Sequence, residues 1–101
     1  MNQRIFDTIS EAIDTLTDEG FKEDFKPGKK RIIASYSRKE YPPKDLTIVE
    51  SLRFEGMTNP GDAALVLAIV AKDGTKGTMV TSYAADHNQG EELIKEIPFA
   101  N

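Results

Sequence analysis

The sequence predicts an α+β fold in which an antiparallel sheet of about four strands carries an N-terminal and a C-terminal helix on one face. Three features of the sequence predict this fold: an apolar stripe at helical spacing near the start, β-rich segments in the middle and a second capping sequence near the end. Strands grouped between helices favour an antiparallel sheet with its helices on one side. At 101 residues, we expect a single α+β domain spanning 1–101.

Composition narrows the class of protein. The chain has no cysteine, which excludes disulfide scaffolds and thiolate metal sites. Its net charge of −4 argues against nucleic acid or an anionic membrane as partner. The start lacks the apolar run of a signal peptide, and the longest apolar run, Ala63–Ala71, is too short to span a bilayer. We therefore expect a cytoplasmic protein without membrane contact.

The first element is predicted to be a helix from Thr8 to Glu19. Thr8 and Glu11 have the spacing of a capping box, in which each side chain satisfies an otherwise unpaired amide. Gly20 follows as a left-handed C-terminal cap. One apolar stripe is formed by Ile9, Ala12, Ile13 and Leu16.

The next segments predict a single strand with ambiguous flanks. Arg31–Tyr36 has the alternation of a strand and follows the Pro27-Gly28 turn. Phe21–Phe25 is ambiguous and can be a short extended piece. Ser37–Lys44 contains a Pro-Pro pair, so it is either a loop or a sheet edge.

The central part predicts a three-strand meander. Its strands are Ile48–Glu55, Ala63–Lys72 and Thr78–Tyr83. A breaker-rich turn joins the first pair, and Asp73-Gly74 is a strong hairpin signal for the second. The middle strand is apolar on both sides, which is typical of a strand covered on both faces.

A second, short helix is predicted from the possible capping box at Asn88–Glu91 to Ile97, where Pro98 stops it. Chain direction then brings the turn Gly56–Asp62 and the segment Asp86–Asn88 to one end of the sheet, near the start of this helix. The possible ligand-binding residues gathered there are Arg53, Glu55, Asn59, Asp62, Asp86, His87 and Asn88.

Several interpretations of this rim stay open. His87 with Asp62 and Asp86 could bind a divalent metal, and the helix N-terminus could hold a phosphate. Turn chemistry alone also accounts for these residue types. No catalytic motif is present, and we predict no catalytic residue, resident metal or cofactor. The basic cluster Lys26–Arg31 could touch a phosphate or be a solvated turn.

The segments Arg53–Asp62 and Ala68–Gly77 resemble small bacterial proteins of similar length that often carry the label phosphoribosylpyrophosphate synthetase. Thr8–Ile13 and Gly20–Phe25 fit the same resemblance. It would imply binding of ATP, ribose 5-phosphate and Mg²⁺. The nearest stretch to a phosphoribosyl-binding loop, Val80–Gly90, has one acid and one glycine, so no catalytic residue is carried over.

We therefore predict a non-enzymatic binding or regulatory module. The alternative is a weak enzyme or a protein that binds a phosphate, nucleotide or phosphoribosyl compound. A sheet face left uncovered by the helices predicts a homodimer. That face would consist of Val49, Val66, Ala68, Val70 and Val80.

Overall fold

Six strands and two helical regions make up the structure, a computed structural model that describes residues 6, 8–54, 64–82 and 93–100. Residues 93–95 form a helical turn. The other elements are helix α1 (Ile9–Asp18), strands β1 (Glu23–Pro27), β2 (Ile32–Ala34) and β3 (Lys39–Tyr41), a 3-10 turn (Pro43–Asp45), and strands β4 (Leu46–Phe54), β5 (Ala64–Ala71) and β6 (Lys76–Ser82). The α+β class is confirmed.

The strands form one mixed sheet in the order β3-β2-β1-β6-β5-β4. All neighbours are antiparallel except β1 and β6, which run parallel and pair Glu23 with Gly77 and Asp24 with Thr78. The prediction of about four antiparallel strands was wrong in both respects. The ambiguous segment before the Pro27-Gly28 turn contributes β1, and the Pro-Pro segment contributes β3 as a short edge strand.

The predicted meander of β4, β5 and β6 is confirmed, with bounds shifted by one or two residues at the ends that the structure describes. At the opposite end from the Asp73-Gly74 hairpin, Phe54 pairs with Ala64, and Ala64 pairs with Ser82. The three strands therefore run up, down and up as consecutive neighbours.

The sheet is strongly curved, because a short connection joins its two edge strands. β3 and β4 lie at opposite edges, and a flat six-stranded sheet holds its edges roughly 24 Å apart. The chain from Tyr41 to Leu46 spans at most about 18 Å, so the sheet bends into an open barrel. Both halves supply its concave core, which contains Phe25, Ile32, Ala34, Tyr41, Leu46, Ile48, Leu67, Ile69, Ala71 and Met79.

The two helical regions cover opposite faces of the sheet. Leu93 and Ile97 are buried in the concave core. On the convex face, a second cluster joins α1 to the meander and consists of Ala12, Leu16, Leu52, Val66 and Ala68. The prediction that both helices share one face was therefore wrong. β5 shows why, since its neighbouring residues Val66 and Leu67 point to opposite faces and are both fully buried.

A β-bulge lets the single strand β4 contribute to both clusters. The register of β4 against β5 shifts between Ile48 and Glu50. Because side chains alternate with a period of two, the extra residue Val49 moves later even-numbered positions to the other face. Ile48 consequently lies in the concave core and Leu52 packs beneath α1.

The caps of α1 follow the sequence prediction at Thr8 and Gly20, but within the described ranges the Glu11 carboxylate does not accept the reciprocal hydrogen bond of a capping box. Thr8 Oγ1 accepts a hydrogen bond from Glu11 N–H at 3.1 Å. At the other end, Gly20 has φ 110°, and Phe21 N–H donates to Leu16 O at 2.9 Å. This geometry ends the helix and returns Phe21 to the cluster beneath α1.

A polar contact ties β3 to the hairpin between β5 and β6. Asp73 Oδ2 accepts from the Tyr41 hydroxyl at 2.9 Å and from Lys39 Nζ at 3.3 Å, and Oδ1 accepts from Thr75 N–H at 3.0 Å. The Thr75 amide, then the Tyr41 hydroxyl, hold the pKa of Asp73 well below its usual range. Two strands separate β3 from β6, so this contact exists only because the sheet curves.

Glu23 is a buried carboxylate that holds the turn between β2 and β3. It accepts hydrogen bonds from the backbone N–H groups of Tyr36 at 2.8 Å, Ser37 at 3.1 Å and Asp24 at 3.0 Å. Burial raises the pKa of Glu23, but the N–H donors together outweigh it and leave the pKa below its usual value. The ionised carboxylate is therefore part of the fold.

None of the helices in the described ranges is long and apolar enough to cross a membrane.

We expect Gly77→Ala to disrupt the joint between β1 and β6. A Cβ at Gly77 would collide with the Glu23 backbone oxygen and lie 2.7 Å from its carbonyl carbon, and backbone atoms cannot rotate away. The free energy of unfolding in urea should fall by about 1–3 kcal/mol, with loss of amide-exchange protection in β1. The control is Gly74→Ala, where a Cβ meets nothing within 4 Å but φ is 95°; strain in the turn should lower its stability as well, without the selective loss of protection in β1. Unchanged stability and β1 protection in Gly77→Ala would contradict the close approach.

Glu23→Gln should make the protein less stable by about 1.5–3 kcal/mol at pH 7, the usual worth of hydrogen bonds to a charged group. The folded-state pKa of Glu23 is depressed, so its contribution is fully present above the unfolded glutamate pKa of about 4.3. It is lost as pH falls through the lower folded-state value. Urea unfolding from pH 7 to pH 3 should show the two proteins converging. The exposed Glu40→Gln serves as control, and a difference that grows on acidification would refute the assignment.

Candidate functional site

The strand ends that should gather the predicted rim site do lie side by side. Phe54, Ala64 and Ser82 occupy neighbouring register positions at the end of β4, the start of β5 and the end of β6. The connections that follow these ends carry most of the predicted site.

Arg53 is the one predicted site residue that the structure describes. It is exposed in β4 and pairs with Leu65 of β5. The other six lie outside the described residues: Glu55, Asn59, Asp62, Asp86, His87 and Asn88. The rim site, including the metal and phosphate interpretations, therefore stays a prediction.

A different constellation is formed by the hairpin between β1 and β2. The turn closes through a hydrogen bond from Gly28 N–H to Arg31 O at 2.8 Å. A Cβ at Gly28 would lie 2.8 Å from that same oxygen and 2.9 Å from Ile33 Cδ1. Glycine therefore allows the tight turn and lets the Ile33 side chain lie directly against the hairpin backbone.

Strand alternation turns this Ile33 side chain outward. Its neighbours Ile32 and Ala34 are buried in the concave core, whereas Ile33 is 38% exposed. Ile33 pairs with Lys26 of β1 on one side and with Glu40 of β3 on the other. The three side chains form a row on the outer face: a cation, an apolar residue and a carboxylate.

An open depression of about 480 Å³ lies over this outer face. The residues that line it are Gly28, Lys29, Lys30, Arg31, Ile33 and Glu40. Three cations from the hairpin, one carboxylate from the neighbouring edge strand and the apolar side chain of Ile33 therefore line the same depression. Its volume falls within the range of about 300–1,000 Å³ that small-molecule sites occupy.

The charges in this depression have no ion-pair partner within the described ranges. No salt bridge or side-chain hydrogen bond there involves Lys29, Lys30, Arg31 or Glu40. Charges elsewhere on these strands are paired. Lys26 Nζ lies 3.6 Å from Asp24 Oδ2, and Lys39 contacts Asp73.

A second open depression, of about 450 Å³, lies beside the 3-10 turn. It is lined by Lys44, Asp45, Thr47, Val49, Val70, Ala71 and Lys72. Its lining contains two lysines, one acid and two valines. It is a useful comparison because it has similar size but lacks a cluster of cations.

Sequence reasoning identified the hairpin cations but not the carboxylate that faces them. Glu40 joins the depression because β3 pairs with β2, whereas the sequence predicts only a loop or a sheet edge for that segment. The available signal was a lysine-glutamate-tyrosine triplet in which Tyr41 alone is apolar. Tyr41 is in fact buried in the core and turns Glu40 outward.

Within the part of the chain that the structure describes, no three His, Asp or Glu side chains are grouped so that they could hold a metal ion. The predicted metal ligands lie outside that part.

Compared with models of protein families, with curated proteins and with solved structures, the chain has no significant match. We therefore describe the protein by its geometry alone, as an α+β open barrel with a cationic depression on its outer face.

Proposed function

We propose that the chain is a non-catalytic binding module for a small ligand that carries a phosphate or similar anion. The observation that carries this proposal is a depression lined by Lys29, Lys30 and Arg31, none of which forms an ion pair in the described ranges. The sequence-based alternative of a phosphate, nucleotide or phosphoribosyl ligand is compatible with this surface.

The chemistry of the three cations supports an oxyanion ligand. A guanidinium presents a planar fork of donors that matches phosphate, and lysines add mobile point charges. The whole chain has a net charge of −4, so these cations form a local positive region on an acidic protein. Such a region attracts anions and orients them as they arrive.

The shape of the site indicates weak binding. The depression is open rather than enclosed, so solvent screens its charges and the ligand keeps much of its hydration. We expect dissociation constants from high micromolar to about millimolar. The affinity should fall when salt is added.

Amide chemical-shift mapping tests the proposal with inorganic phosphate, ribose 5-phosphate and ADP as probes. Shifts should concentrate at residues 28–33 and 40, and replacing Lys29, Lys30 and Arg31 with Gln should weaken binding at least about 10-fold. The matched control replaces Lys44 and Lys72 of the second depression, and should retain wild-type affinity. Equal losses in the two variants, or shifts confined to other residues, would refute the site.

Self-association is a second candidate, favoured by the exposed valines. Val66 and Ala68 of the predicted dimer face are buried beneath α1, but Val49 remains 44% and Val80 47% exposed. Val49 and Val70 line the second depression, so a two-fold contact would use that region.

Sedimentation tests this candidate at tens of micromolar, the order of a modest interface. A dimer should be present in the wild type and should dissociate in Val49→Lys, which buries a charge in the contact. The hairpin variant with three glutamines serves as control and should stay dimeric. A monomeric wild type throughout this range would exclude the contact.

A further inference from the structure

One depression on the outer face of β1–β3 is lined by charges of both signs and by the apolar side chain of Ile33. Glu40 is the direct cross-strand neighbour of Ile33, Lys26 pairs with Ile33 on the opposite side, and the hairpin cations line the same depression from the turn that precedes β2. Ile33 itself lies against Gly28 and lines the depression together with the charges of both signs. The depression is therefore bipolar rather than simply cationic.

We infer that the ligand of this depression is zwitterionic. Its anionic group binds to Lys29, Lys30 and Arg31, and an ammonium or similar cationic group binds to Glu40. The apolar part of the ligand crosses Ile33. This inference rests on the proposed function and specifies the class of ligand.

The unpaired state of Glu40 supports this assignment. Two other carboxylates on or beside these strands, Asp24 and Asp73, each have a lysine within 4 Å. Glu40 lines the same depression as three cations, yet it forms no ion pair in the described ranges. Its carboxylate is therefore available to a ligand.

Electrostatics then distinguishes two kinds of ligand. A purely anionic molecule gains from the hairpin cations but is repelled by Glu40 in the same depression. A ligand with a cation at its far end converts that repulsion into attraction, while its anionic end keeps the same partners. The carboxylate thus selects among anions instead of opposing all of them.

Two matched probes test the inference: 4-aminobutyl phosphate and n-pentyl phosphate, which carries a methyl group in place of the ammonium. At low salt, the wild type should bind the amine about 5–10-fold more tightly. Glu40→Gln should bring this ratio close to one, and Lys30→Gln should weaken both probes to a similar extent. Affinities come from amide chemical-shift titration, which also verifies that each variant is folded.

Asp18→Asn is the control for net charge, because Asp18 is exposed at the end of α1 and its replacement removes the same charge as Glu40→Gln. It should retain the preference for the amine. Equal wild-type affinity for the two probes, or a preference that persists in Glu40→Gln, overturns the zwitterionic ligand while leaving anion binding intact. Failure of both probes to bind at the hairpin overturns the inference together with the proposed function.

Discussion

The sheet has two halves, β1–β3 and β4–β6, and a short parallel pairing of two residue pairs joins them. The remaining architecture depends on this pairing. Glu23 and Asp24 of β1 meet Gly77 and Thr78 of β6. The approach is so close that no side chain fits at Gly77. From this joint, β1 to β3 fold over the concave side of the meander, where Phe25, with the other inward side chains, completes the core. The Glu23 carboxylate adds a second constraint by fixing the turn after β2.

The bulge at Val49 allows a single sheet to contribute side chains to two hydrophobic clusters, the concave core and the cluster beneath α1. β5 is interior and buries side chains on both faces. β4 is an edge strand in the same sheet, and without the bulge its even-numbered apolar residues would all point to one side. These residues are Leu46, Ile48, Leu52 and Phe54. The shift between Ile48 and Glu50 divides them. Backbone pairing of Ile48 with residues 98–100 then covers part of the exposed edge, which limits edge-to-edge association.

The sequence predicted those parts of the fold that have strong local signals. The cap at Thr8, the end of α1 at Gly20 and the hairpin at Asp73-Gly74 each depend on neighbouring residues. The joint between β1 and β6 has no such signal, because two short segments more than fifty positions apart meet over two pairs. The apolar run of β5 indicates that both faces of this strand are covered. This feature conflicts with the prediction that both helices lie on one face. Glu40 could not be assigned to a site without the pairing of β3.

The cationic hairpin differs from these structural features because the fold does not require its charges. Gly28 is needed for the turn, and Ile33 packs against it, but the side chains of Lys29, Lys30 and Arg31 make no ion pair in the described ranges. Exposed charges contribute little to stability whether paired or not. Removing them therefore changes the surface while leaving the joint, the bulge and both clusters intact. The cations proposed to bind a ligand are therefore separate from the residues on which the fold depends, whereas Gly28 and Ile33 both shape the turn and line the depression.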